Sequence, residues 1–159
     1  MHHSRQALLR AKLLYIRAGC RRPHHRESVQ QEADRRAPGR GGARLAGLWE
    51  SDRPRWDGVF DEIGQISLEA RKAIEMGKPE QLGALMDRDH ALLQQLTVSS
   101  PQLDRLVEAA RAAGARGAKL SGGGRGGNMI ALVDEETLSP VQRSLKDAGA
   151  THVIATQVE

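Results

Sequence analysis

An α+β fold is predicted for this chain, with helices covering one face of a small antiparallel or mixed sheet. Three observations predict it. Consecutive segments before Gly114 place apolar residues at steps of three and four, the text after it turns to short β-type runs, and a glycine-rich turn lies between the two regimes. With 159 residues, 39% of them hydrophobic and 28% charged, the chain has room for one domain of ordinary size. No apolar run approaches the roughly 18 residues of a membrane span. Arg5, Arg10, Lys12 and Arg17 interrupt any signal-like apolar core. The single Cys20 can form neither an internal disulfide nor a thiolate cluster, and no Cys/His spacing points to a metal site. A cytoplasmic protein with no membrane partner and no metal site of its own is expected.

Charge divides the chain. Residues 1–42 hold ten Lys and Arg against three Asp and Glu, while the remaining residues hold fourteen against seventeen, so the formal charge of +4 belongs to the head alone. From Arg17 to Gly42 no apolar period is sustained, and the segment reads as disordered. A nucleic-acid partner is not expected, because the basic residues are scattered without a binding motif and aromatics are only 3%. His2-His3 is too short for an expression tag. Arg-rich, Pro/Gly-rich and aromatic-poor text is what out-of-frame translation of high-GC sequence gives, so residues 1–42 are expected to be disordered or non-native. The apolar run Leu13-Leu14-Tyr15-Ile16 is the part of the head that could join a sheet, as an edge strand.

Regular organisation begins near Leu45. From Asp57 to Met76, Val59/Phe60, Ile63, Ile66, Ala70 and Ala73/Ile74 line one helical face, and Gly77 ends it. Pro79 opens a second helix with Leu82, Leu85/Met86, Leu92/Leu93 and Leu96 inward and Asp87, Arg88 and Asp89 facing water. Ser99-Ser100-Pro101 is a start signal, a hydroxyl cap followed by a proline in the first turn. Leu103, Leu106/Val107, Ala110 and Ala113 continue that third helix to Gly114. Asn128 to Val133 is an apolar run of strand length. Asp134-Glu135-Glu136 introduces a fourth helix with Leu138, Val141, Leu145 and Ala148, ended by Gly149. Thr151 to Val158 is a β-branched final strand.

The chemistry is concentrated in Ser121, Gly122, Gly123, Gly124, Arg125, Gly126 and Gly127. Glycines admit backbone angles closed to other residues and leave N–H groups uncovered, so a phosphate or carboxylate can approach the main chain. A flexible linker would have the same composition, but apolar β-type residues on both sides argue for a turn inside a fold. The loop does not fit the G-x-x-x-x-G-K-S/T mononucleotide pattern, because Lys119 precedes the glycines and a strand, not a helix, follows them.

These residues carry a family resemblance. Gly114-Ala115-Arg116-Gly117-Ala118-Lys119-Leu120-Ser121 through Gly127-Asn128 resembles the third motif of the GHMP small-molecule kinases, G-A-x-G-A-K-L/I-T/S-G-A-G-G-G-G-C before a strand. The stretch from Asp89-His90-Ala91-Leu92-Leu93 through Leu96-Thr97-Val98-Ser99-Ser100-Pro101-Gln102-Leu103-Asp104-Arg105-Leu106 is similar to the preceding helices in mevalonate kinases. Gly123 stands for the usual Ala, Arg125 for Gly, Asn128 for Cys and Asp89 for Asn, which resembles an archaeal-type variant. The resemblance covers residues 45–159 and implies the ferredoxin-like C-terminal domain of that family.

It further implies ATP-dependent phosphoryl transfer to mevalonate or a similar small hydroxy acid, with another GHMP kinase such as a phosphomevalonate kinase, or a non-catalytic anion-binding module, as the alternatives. ATP and Mg2+ would be bound mainly by an N-terminal domain whose P-x-x-x-G-L-G-S-S-A loop and catalytic residues have no counterpart here. No catalytic residue is therefore assigned to this chain, and a truncated or frameshifted fragment, inactive unless a separately encoded N-terminal kinase domain completes it, is expected. With no first strand upstream of Leu45, such a domain should be fragile. Within the loop, Ser121 is a candidate hydroxyl donor and Arg125 a candidate cation, the alternative for Arg125 being a solvated surface residue. Lys119 is expected to cap or solvate a strand end. His90 and His152 are expected at the surface, and Ser99 and Ser100 as helix caps.

Overall fold

The computed structural model describes residues 11–18, 40–122 and 127–157. Its elements, in chain order, are β1 (Lys12–Ala18), α1 (Arg40–Ser51), α2 (Arg53–Glu75), α3 (Pro79–Gln95), α4 (Pro101–Ala112), β2 (Gly117–Leu120), β3 (Asn128–Val133), α5 (Glu135–Asp147) and β4 (Ala150–Gln157). The four strands make one antiparallel sheet in the order β2-β3-β1-β4.

The local signals account for most of these boundaries. Asp52 accepts a hydrogen bond from the Arg55 N–H at 3.4 Å and opens α2. Ser100 caps α4 by accepting from the Leu103 N–H at 3.3 Å, and Pro101 follows in the first turn, where its missing donor costs nothing. At α5 the Asp134 N–H donates to Thr137 Oγ1 at 3.0 Å, while Glu135 and Glu136 place negative charge on the first turn.

One face of the sheet is a closed core. Leu14, Ile16 and Ala18 of β1, Met129, Ala131 and Val133 of β3, and Ala118 and Leu120 of β2 pack beneath Leu103, Leu106, Val107 and Ala110 of α4 and Val141 and Leu145 of α5. The opposite face is partly covered too. Met86 of α3 packs on Leu132 and Ala11, with Leu82, Leu13 and Ile130 around them. Burying Leu132 is the physical reason: alternation sends it to the second face, and an apolar side chain there needs a cover. A second cluster, Trp56, Val59 and Ile66 of α2 with Leu92 and Leu96 at the end of α3, binds the outer helices together, and Leu45, Leu48 and Trp49 of α1 cap it.

The head requires a correction. Residues 1–42 were expected to lie outside the fold, yet Lys12–Ala18 is an interior strand, hydrogen-bonded to β3 on one side and β4 on the other. The edge position expected for Leu13–Ile16 fails for the same reason, and a domain beginning at residue 45 would lack one of its own strands. Leu14 and Ile16 are fully buried while Tyr15 and Arg17 are exposed, a period of two hidden in a short apolar run among arginines. The missing first strand is thus supplied by the head itself. Residues 1–10 and 19–39, for which disorder is expected, lie outside the described residues.

Three other differences concern helices and strands. The helix Arg40–Ser51 had no sequence counterpart, and α2 begins four residues before Asp57. Ala118-Lys119-Leu120, read as a lead-in to the loop, is strand β2. The last strand runs Ala150–Gln157, and Val158 lies outside the described residues.

Helix α3 and strand β2 meet backbone to backbone. A Cβ placed on Gly117 would stand 2.1 Å from the Gly83 carbonyl oxygen, and one on Gly83 would stand 2.2 Å from the Arg116 oxygen. Only glycine at both positions lets α3 lie against β2. Gly117→Ala is expected to lower the urea-unfolding free energy by about 1–3 kcal/mol through overpacking. By contrast Gly64→Ala, in open space on α2, should raise it by roughly 0.5–1 kcal/mol. Leu14→Ala is expected to cost about 2–5 kcal/mol in the same measurement, since Leu14 is fully buried in the core. A change within error would show that β1 does not belong to the folded sheet.

Candidate functional site

Strands β2 and β3 form a hairpin, and the glycine segment joins them. The Ser121 N–H donates to the Asn128 carbonyl at 3.1 Å and closes the neck. Gly122 (φ 90°) and Gly127 (φ 83°) are both left-handed, where L side chains are strained. The far end is tied to the interior strand, because the Ala18 N–H donates to the Gly127 carbonyl at 2.5 Å, and a Cβ on Gly127 would stand 3.3 Å from the Ala18 oxygen. A Cβ on Gly122 would meet nothing within 4 Å, so that side of the main chain is open. Ser121, Gly122 and Gly127 therefore form the neck of the loop. Gly123, Gly124, Arg125 and Gly126 lie outside the described residues.

Helix α3 holds the other edge of β2. Asp87 Oδ1 accepts from the Ala118 N–H at 2.9 Å and from Arg111 Nε of α4 at 2.7 Å. One turn on, His90 Nδ1 accepts from the Leu120 N–H at 3.2 Å. Its Nε2 stands 3.2 Å from Asp104 Oδ1 of α4, facing it too obliquely for an aligned hydrogen bond, and the same oxygen accepts from Ser99 Oγ at 2.6 Å. Lys119 is ion-paired with Asp89. Further back, Arg116 joins Asp134 at 2.7 Å to Glu80 at 2.8 Å, fixing the start of β2 between the N-termini of α5 and α3.

Several side chains differ from their expected settings. Asp89 is only 7% exposed and His90 1%, so neither faces water, and Asp87 is partly buried. Asp87 and His90 share one reason. An edge strand presents unpaired N–H groups, and leaving them buried without acceptors costs about 1–3 kcal/mol each. Polar side chains on the inner face of α3 meet that need. Lys119 answers a buried carboxylate and is not a free cation at a strand end. Ser100 is a cap as expected, whereas Ser99 bonds Asp104, and His152 is exposed on β4 opposite Arg17.

Electrostatics follows from this packing. Burial pushes the His90 imidazole below the usual histidine range and Arg111 adds to that shift, while Asp104 and Asp87 pull the other way. The Asp134 hydrogen bond holds the Arg116 guanidinium above its ordinary value. The clamp residues Asp87, His90, Asp104 and Arg111 were not singled out as a site from sequence. One signal was present: Gly83, Asp87 and His90 fall at i, i+4 and i+7, a stripe of one small and two polar residues between inward Leu82, Met86 and Leu93.

The family described as GHMP kinases C terminal matches residues 70–151. The chain belongs to the GHMP kinases. The matched segment holds Gly83, the α3 clamp and the hairpin neck, and leaves β1 outside it. Mevalonate kinase of Saccharolobus solfataricus is 38% identical over 93 residues, covering 58% of this chain and 30% of that protein. Among solved structures, L. major mevalonate kinase in complex with R-mevalonate matches with a TM-score of 0.74 at 25% identity, over 91% of this chain and 41% of that one. The Methanococcus jannaschii mevalonate kinase matches at 0.63 and 27%, over 97% and 41%. This GHMP kinase chain thus spans less than half the length of the relatives it matches. Among the described residues no helix is long and apolar enough to cross a membrane.

Removing the carboxylate of Asp87 leaves the Ala118 N–H without its acceptor and breaks the Arg111 ion pair, while Arg111 Nη2 keeps the Ala118 carbonyl at 3.2 Å. Asp87→Ala is expected to destabilise the chain by about 1–3 kcal/mol in urea unfolding, the pair being part-exposed. Asp61→Ala on the exposed face of α2 should leave it within roughly 0.5 kcal/mol.

Proposed function

We propose that this chain forms the acceptor-side half of an ATP-dependent mevalonate kinase, with the glycine hairpin as one wall of the reaction cleft. The observation that carries the reading is the hairpin neck: two left-handed glycines, one with open space at its α-carbon, held at both ends by hydrogen bonds to β1 and β3. Main chain without side chains, fixed at its ends, is suited to lie against a phosphorylated group or a carboxylate. The choice of mevalonate is supported by the solfataricus relative and by the L. major enzyme, whose structure in complex with R-mevalonate matches 91% of this chain with 41% of its own.

In this reading Ser121 directs a hydroxyl toward the acceptor, Gly122, Gly123, Gly124, Gly126 and Gly127 let it approach the backbone, and Arg125 brings positive charge to the same loop. ATP with Mg2+ supplies the phosphoryl group and neutralises its charge, and catalysis is mainly positioning in a water-poor cleft. Among the described residues no group of three His, Cys, Asp or Glu could hold a metal ion. In this reading nucleotide and Mg2+ are held mainly by an N-terminal kinase domain, and this chain contributes orientation of the acceptor.

The test is a chimera in which this chain replaces the C-terminal domain of the solfataricus mevalonate kinase. Mevalonate-dependent ADP release is expected from the chimera and none from the chain alone. Gly122→Val, which places a β-branched residue at φ 90°, should lower kcat by about 100-fold or more with the fold retained by circular dichroism. A folded chimera that turns over phosphomevalonate or galactose and not mevalonate would assign a different GHMP substrate. One that binds small anions without turnover would make this a binding module.

A further inference from the structure

The two outward N–H groups of β2 have acceptors that respond differently to acid. Ala118 donates to Asp87, a carboxylate already held by Arg111. Leu120 donates to Nδ1 of His90. That nitrogen accepts only in the neutral imidazole with its proton on Nε2. A second proton on Nδ1 sets two N–H groups against each other, and the attraction becomes a repulsion.

We propose that His90 is a positioning residue for the entry to the glycine loop, and that protonating its imidazole breaks the Leu120 hydrogen bond while leaving that of Ala118 intact. Leu120 is the last residue of β2, and the Ser121 N–H bond to Asn128 alone stands between it and Gly122. A shift at Leu120 therefore passes directly to the first left-handed glycine of the neck.

The surroundings favour such a movement. From α4, Asp104 faces Nε2 and Arg111 faces the ring; from α3 itself, Asp87 does so; on β2, Lys119 is engaged by Asp89. Burial disfavours the charged ring, so its titration moves to the acid side of the ordinary histidine value. Once charged, the imidazolium is drawn toward Asp104, which lies on the side away from Leu120. The device acts on the same loop as the phosphoryl-transfer reading but is measured without nucleotide or mevalonate, so each can fail alone.

The experiment follows the amide signals of Ala118 and Leu120, with the His90 ring, in the 15N-labelled full chain from about pH 8 to about pH 4.5. Leu120 should titrate with the ring, and its exchange protection, corrected for the intrinsic pH dependence, should drop by about tenfold. Ala118 should stay unchanged. In His90→Gln the side-chain carbonyl replaces Nδ1 as acceptor without a titrating proton, so both amides should be flat. The proposal is overturned if the ring titrates with no response at Leu120, if the response survives in His90→Gln, or if both amides lose protection together in a global unfolding.

Discussion

Everything in this domain turns on how the short edge strand β2 is satisfied. Its inner edge pairs with β3, and its outer edge needs acceptors that water cannot supply once α3 lies along it. Two glycines, Gly83 and Gly117, bring helix and strand into backbone contact, and only at that distance do Asp87 and His90 reach Ala118 and Leu120. The same helix then fixes the rest. Its Leu92 meets α2, its Met86 covers the second face of the sheet, and its Asp87 and His90 engage Arg111 and Asp104 of α4.

The glycine hairpin inherits its precision from this arrangement. Glycines confer freedom, and freedom alone would give a floppy turn with a large ordering cost on binding. Here the neck is held on one side by Leu120 and Ser121 and on the other by Gly127, tied to the end of β1. In the proposed function the loop positions the acceptor, and positioning is only as good as the elements that carry it. The clamp and the interior strand are those elements.

The interior place of β1 also explains why the head cannot be judged by its composition. Seven residues of Lys12–Ala18 supply hydrogen bonds to two neighbours and the fully buried Leu14 and Ile16. Segment charge averages over residues with no bearing on that strand. A period of two across three buried side chains is too short to stand out from arginine-rich text, whereas the helices repeat their signal over three turns or more.

The sequence by itself determined the α+β class, the helices around Val59 to Ile74, Leu82 to Leu96 and Leu103 to Ala113, the cap at Ser100 and the acidic helix start at Asp134, the strands at Asn128 and Thr151, and the glycine turn with its GHMP kinase motif. These depend on local rules: periodicity, capping and turn chemistry act within a few residues of chain. Tertiary structure decided what lies between distant segments. It put β1 inside the sheet, made a strand of Ala118 to Leu120, and turned Asp87 and His90 from a solvated face into acceptors for the strand's N–H groups. A polar side chain on a helix faces water or an unpaired strand edge according to what packs against it, and that neighbour is 31 residues away for Asp87 and Ala118 and 30 for His90 and Leu120. No local pattern specifies that meeting; the unpaired N–H groups of the strand do.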